Sequence, residues 1–200
     1  MKLNSKILML TAAAVPFTAL VLTAALSPKP QMKPSPEAAQ TELIARGKYL
    51  VAFGDCNSCH TPLKFGPNGP EPDWSRMLSG HPQDAKLPPP PNLQNSPWFA
   101  ATAGMTAWTG PWGVSYVANI TPDENTGIGI WTEEMFIKAL RTGKHMGYGR
   151  DLLPPMPWQA YGQLTDDDLK AMFAYLRSVP AISNRVPEPL GPNGTAMDFE

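Results

Sequence analysis

Cys56 and Cys59 are the only cysteines in this 200-residue chain, and His60 follows the second directly. No other feature restricts the fold as tightly. Two cysteines three positions apart cannot close a disulfide framework. A Cys-x-x-Cys pair serves as a redox dithiol, as half of a zinc site or, with the following histidine, as the attachment motif of a c-type haem. Zinc would need a second close-spaced pair of ligands, and a thioredoxin-like dithiol would need a strand–helix–strand context. The sequence offers neither. The haem reading has a geometric reason: two thiols on one helical turn reach the two vinyl groups, and His60 then lies under the iron as proximal ligand. Cys56, Cys59 and His60 are therefore the expected attachment and ligand residues, and one motif limits the chain to one covalent haem.

The rest of the composition describes what surrounds such a site. Proline supplies 24 residues, more than twice its usual share of about 5%. Proline and glycine together still fall short of the roughly 25–30% that marks disorder. With 42% hydrophobic residues, the expectation is a folded protein rich in turns and irregular loops. The net charge of −1 and the lack of a basic stripe argue against nucleic acid as a partner.

Lys2 and Lys6 precede an uncharged run from Ile7 to Leu26. That pattern fits a cleaved secretory signal, and its length also suffices for an uncleaved membrane anchor. Both place the remainder outside the cytoplasm, so residues 1–26 are expected to be a signal peptide or N-terminal anchor. Residues 27–36 hold four prolines and read as an extended linker.

Three helices are predicted. Residues 37–53 carry Leu43, Ile44, Gly47, Leu50 and Val51 at three- and four-residue steps, and Gly47 would let another element pack close. Residues 132–141 open on Thr132 as N-cap with Glu133 and Glu134 in the first turn, and Gly143 is the expected stop. Residues 165–178 open on Thr165 with three aspartates and bury Leu169, Met172, Phe173 and Leu176. Residues 61–116 show no sustained periodicity and no convincing strand; their tryptophans predict an ordered wrapping loop with short helices. The tail, residues 186–200, is expected to be loosely held.

The second axial ligand separates an electron carrier from an open-site haem enzyme or gas sensor. Met156 lies between Pro155 and Pro157, where the prolines stiffen a loop and fix the direction of the thioether. A methionine on a helical stripe, such as Met172, reads instead as core. Met146, His145 and His81 are the remaining candidates. No obvious distal acid–base histidine supports a peroxidase-like or gas-binding reading.

At this point the chain resembles a known family. The residues that carry the likeness are Cys56, Cys59 and His60; Asn119-Ile120-Thr121-Pro122-Asp123; Thr126-Gly127-Ile128-Gly129; Trp131-Thr132; Arg141-Thr142-Gly143; Gly149-Arg150; Pro155-Met156-Pro157-Trp158; Leu164-Thr165; and Tyr175-Leu176-Arg177-Ser178. In that order they resemble class I monohaem cytochromes c, akin to the cytochrome domains accompanying bacterial membrane-linked alcohol and sugar dehydrogenases. The resemblance implies an all-α cytochrome c fold, with three or more helices around one covalent haem in a domain spanning residues 37–185. It also implies His60 and Met156 as the axial pair. The implied role is an electron carrier, not an enzyme, exchanging single electrons in the periplasm with a dehydrogenase, a quinol-oxidising complex or a terminal oxidase. The departure is residues 62–113, a long Pro/Gly/Trp-rich insertion. A proline carbonyl is expected to accept the proximal imidazole proton, with Pro67, Pro70 and Pro91 as candidates. Arg150 and Tyr148 are candidates to bond a haem propionate.

Overall fold

Three helices with well-formed caps make the scaffold of this computed structural model, which describes residues 33–197. Helix α1 (Pro36–Phe53) starts where the Ser35 hydroxyl accepts the Ala38 N–H, with Pro36 in its first turn. Helix α3 (Glu133–Thr142) starts on Thr132, which accepts the Met135 N–H, and ends on Gly143 in the left-handed conformation. Helix α5 (Asp166–Ser178) starts on Thr165, which accepts the Asp168 N–H ahead of three aspartates that face the positive end of the helix dipole. Between them, α2 (Cys56–His60) and α4 (Trp158–Tyr161) are short turns flanking the candidate site.

The core lies where α1, α3 and α5 meet. Leu50 and Val51 of α1, Phe136 and Leu140 of α3, and Leu169, Met172, Phe173 and Leu176 of α5 form one buried cluster with Leu78 and Ile128. The rings of Phe136 and Phe173 lie 5.3 Å apart. Helices α1 and α5 approach so closely at Gly47 that a Cβ there would overlap the Ala171 carbonyl oxygen. An ion pair between Arg46 and Asp168 (2.9 Å) closes the same contact at its solvent edge.

The all-α expectation is overturned. The described residues form a mixed α/β structure with five helices and two antiparallel sheets, of two and three strands. Strands β1 (Leu63–Gly66) and β2 (Gly69–Pro72) pair as a hairpin. Strands β3 (Ala100–Ala101), β4 (Ala107–Gly110) and β5 (Gly113–Tyr116) form the second sheet in that order. All five fall in or beside the segment expected to be a wrapping loop. They leave little trace in the sequence because none exceeds four residues, several include Gly or Pro, and β4 and β5 are buried on both faces. A strand that short shows no usable alternation. It is fixed by its turn and its partners, as at Gly113, whose φ of +105° lets the chain double back while its α-carbon sits against the Leu190 carbonyl.

The tail also differs from expectation. Leu190 exchanges hydrogen bonds with Val114 of β5 (2.8 and 2.9 Å), and Pro189 is buried. The signal-or-anchor reading of residues 1–26 and most of the linker lie outside the described residues. Among the described residues, no helix is long and apolar enough to cross a membrane.

Two outcomes follow from this architecture. Gly47→Ala gains helix propensity of about 1 kcal/mol, yet the forced separation of α1 from α5 outweighs it. Denaturant unfolding should show a net loss of about 1–3 kcal/mol. The second concerns acid. Asp73 accepts from the Ser75 hydroxyl (2.5 Å) and from Arg76 (2.8 Å), and these bonds hold its carboxyl below the usual range. A depressed folded value means stability that is present above the ordinary carboxylate value of about 4 and is lost as the pH falls through the lower folded value. Asp73→Asn should therefore flatten the acid limb of a Tm–pH profile and leave its slope near neutrality unchanged.

Candidate haem site

Helix α1 ends in a way that presents the cysteines. Gly54 N–H bonds back to Leu50 O (2.8 Å), and Asp55 then takes a left-handed conformation (φ 56°) that turns the chain into α2. Asp55 accepts the Ser58 hydroxyl at 2.5 Å. The exit is tied down as well. Thr61 donates its hydroxyl to Asn57 and accepts the Leu78 N–H (2.9 and 3.0 Å), and Gly80 N–H reaches His60 O at 2.7 Å. Cys56 and Cys59 are both free thiols. Burial pushes the Cys56 thiol up to about 11 and raises Cys59 too, so both are neutral near pH 7.

The imidazole of His60 is oriented by one bond. Its Nδ1 lies 2.8 Å from the Ala118 carbonyl oxygen. A carbonyl only accepts, so Nδ1 carries the proton and Nε2 keeps the lone pair. Enclosure by protein lowers the His60 pKa, against the opposing pull of the Ala118 bond. The acceptor is therefore Ala118 rather than Pro67, Pro70 or Pro91. Two of those prolines lie in or beside the β1–β2 hairpin, and Pro91 lies in the extended run over the second sheet.

Ala118 is itself braced, which gives the Asn119–Asp123 motif a structural meaning. The Asn119 side chain donates to Thr126 and to Ile182 O (3.1 and 2.8 Å) and accepts the Thr121 N–H and hydroxyl (3.0 and 2.8 Å). Asp123 accepts the Thr126 N–H and hydroxyl (2.7 and 2.6 Å). On the other side, Val117 bonds to Thr106 O and accepts the His81 N–H, both at 2.9 Å.

Two adjoining cavities of about 370 Å³ each border this assembly. That volume is within the usual range of ligand pockets, and the lining is mainly apolar. Cys56, His60 and Met156 line both cavities; Cys59 lines the first. Tyr116, Ala118, Arg150, Leu152 and Tyr161 are also shared. The first is completed by Trp108 and Ser115 of the second sheet, the 152–157 loop and Pro189. The second is completed by Ile128, Trp131, Phe136, Leu140 and Leu176. His145 and Met146 line only the second. His81 lines neither; its Nδ1 pairs with the Thr106 hydroxyl at 3.0 Å and its ring lies against Tyr116. Trp131 and Tyr161 face the cavities, whereas Trp158 packs over Gly143 at the end of α3. Tyr148 is exposed and lines neither. The side chain of Arg150 is lowered in pKa by burial, with Glu188 opposing.

Two free thiols on one turn, an imidazole with Nε2 available, a thioether and an apolar slot shared between them fit a covalently held haem. Sequence reasoning missed Ala118, Trp108, Ser115 and Pro189. A backbone carbonyl can belong to any residue, and the other three arrive from the insertion, from the strand that follows it and from the tail.

No family model matches the chain. It is 34% identical over 82% of its length to the fructose dehydrogenase cytochrome subunit of Gluconobacter japonicus, covering 27% of that protein. It is 32% identical over 75% of its length to the cytochrome c subunit of a quinone alcohol dehydrogenase of Gluconobacter oxydans, covering 25%. A diheme cytochrome c-type protein of Cereibacter sphaeroides is 28% identical over 79% of the chain and 44% of the relative. The chain thus spans about a quarter of the length of the first two relatives.

Tyr161 donates its hydroxyl to Gly54 O (2.5 Å), and burial pushes its pKa up to about 12. Tyr161→Phe should cost about 1 kcal/mol in denaturant unfolding, because it frees the carbonyl that holds the entry to α2.

Proposed function

We propose that this chain, a homologue of the cytochrome c subunits of bacterial dehydrogenases, carries single electrons through one covalent haem attached at Cys56 and Cys59 and ligated by His60 and Met156. It works outside the cytoplasm, in the periplasm or tethered to the membrane by residues 7–26. It exchanges electrons with a dehydrogenase, a quinol-oxidising complex or a terminal acceptor.

One observation carries the reading: His60 and Met156 line the same two cavities as Cys56, with His60 already committed through Nδ1 to Ala118. The single motif Cys56–His60 supports one haem in this chain. A haem bound between an imidazole and a thioether supplies a one-electron couple, its potential raised by the thioether.

The chain's own residues do the rest. The Ala118 carbonyl fixes the plane of the His60 ring and makes Nε2 a stronger donor. Pro155 and Pro157 hold the Met156 thioether on a stiff loop, so little rearranges when charge changes. Trp131, Phe136, Leu140 and Tyr161 exclude water from the slot. Arg150 lines both cavities and its guanidinium suits a carboxylate, which makes it the residue to meet a propionate.

The oxidised protein should show a weak near-infrared sulfur-to-iron band that is lost in Met156→Ala. A wild-type spectrum without that band would defeat the ligand assignment. Intact mass should give one haem per chain.

A further inference from the structure

The Met156 loop is built from residues that cannot hold it in place by themselves. Pro154, Pro155 and Pro157 have no N–H to donate. The loop must be tethered through its carbonyls, through its few remaining N–H groups and by packing. Leu152 N–H bonds to Gly143 O at 2.7 Å, four residues before Met156. The Ser115 hydroxyl donates to Pro154 O at 2.6 Å, two residues before Met156.

Ser115 is a fixed point. It is buried in β5, opposite Trp108 of β4. The other edge of β5 is held by the paired bonds between Val114 and Leu190. The same hydroxyl also serves as an acceptor: Trp112 Nε1–H points to Ser115 Oγ at 3.3 Å. An indole N–H only donates. It takes a lone pair of Oγ and leaves the hydroxyl hydrogen for Pro154, and each bond polarises the other. The Trp112 ring is seated against the Gly110 α-carbon, where a Cβ would overlap it, with Phe99 at 6.4 Å between centroids.

The geometry points to Ser115 and Trp112 as positioning residues, a relay by which the β4–β5 hairpin holds the Met156 thioether over the haem slot. This rests on Met156 as axial ligand. It gives the insertion a defined role: it sets how often the sulfur leaves its place. The chain Trp112–Ser115–Pro154 ends on the ligand loop rather than in the helical core, so its loss opens the loop without opening the α1–α5 contact.

The test uses the haem-loaded full chain as wild type, Ser115→Ala, Trp112→Phe, Met156→Ala and Arg46→Ala. Losing one such bond should raise the sulfur-off population about threefold to tenfold. Ser115→Ala should therefore speed carbon monoxide uptake by the reduced protein by that factor and weaken the near-infrared sulfur-to-iron band in proportion to the fraction of protein opened. Trp112→Phe, which keeps a ring and removes the N–H, should move both readouts in the same direction by less. Arg46→Ala cuts an ion pair in the helical scaffold and should lower Tm while leaving both unchanged. A wild-type band and uptake rate in Ser115→Ala would overturn the relay, as would an equal change in Arg46→Ala. Should Ser115→Ala fail to accumulate, Trp112→Phe decides by the same two readouts. A wild type without the band, or with carbon monoxide uptake unaltered by Met156→Ala, overturns the ligand assignment instead, and the relay falls with it.

Discussion

The bond from His60 Nδ1–H to the Ala118 carbonyl organises everything around the slot. It joins residues 58 positions apart, so it forms only once the insertion has folded back onto α2. It settles which nitrogen carries the proton, and so which nitrogen is free to ligate. The carbonyl is held from both sides: Val117 bonds into the 102–106 turn, and Asn119 anchors the segment after it. The motif at residues 119–123 is thus a brace: its polar side chains bond to one another, to Thr126 and to the Ile182 carbonyl, with Asn119 also lining the second cavity.

A second polar knot extends that brace. Asn184 donates to Ser79 O and His81 O and accepts the Gln83 N–H, while its own N–H reaches Thr126. Buried amides are stable only when such partners are supplied. Here the partners come from the insertion and the 119–126 motif, and Asn184 itself lies in the segment after α5, so three distant stretches are locked together. Arg177 at the end of α5 adds bonds to Ile128 O and Gly129 O. The helices provide the apolar core, and the polar knots align the irregular chain upon it.

For an electron carrier of the kind proposed, this division of labour has a physical rationale. Helical packing at Gly47 and the Phe136–Phe173 contact fixes one wall of the slot rigidly. The opposite wall is made of short strands, prolines and the pinned tail, held by hydrogen bonds of moderate strength. One wall resists rearrangement while the other sets access to the slot.

The three long helices were legible because their signals are local. Caps at Thr132 and Thr165, apolar steps in residues 43–51 and 169–176, and Gly143 after α3 all act within a few residues of where they are written. Cys56, Cys59 and His60 were legible for the same reason, since one helical turn sets their spacing. The strands were not, because residues such as Ala100–Ala101 or Gly113–Tyr116 have no preference strong enough to announce pairing. Their state is chosen by partners far away in sequence, such as Leu190 against Val114. The acceptor of the His60 proton was likewise beyond the sequence, because every residue carries a carbonyl and only the closed fold selects one. By itself, then, the sequence determined the helices, a Cys-x-x-Cys-His turn and a methionine between prolines. Tertiary structure decided the sheets, the Ala118 tie and the Ser115 tether, since each is a contact between segments whose local chemistry carries no mark of the other.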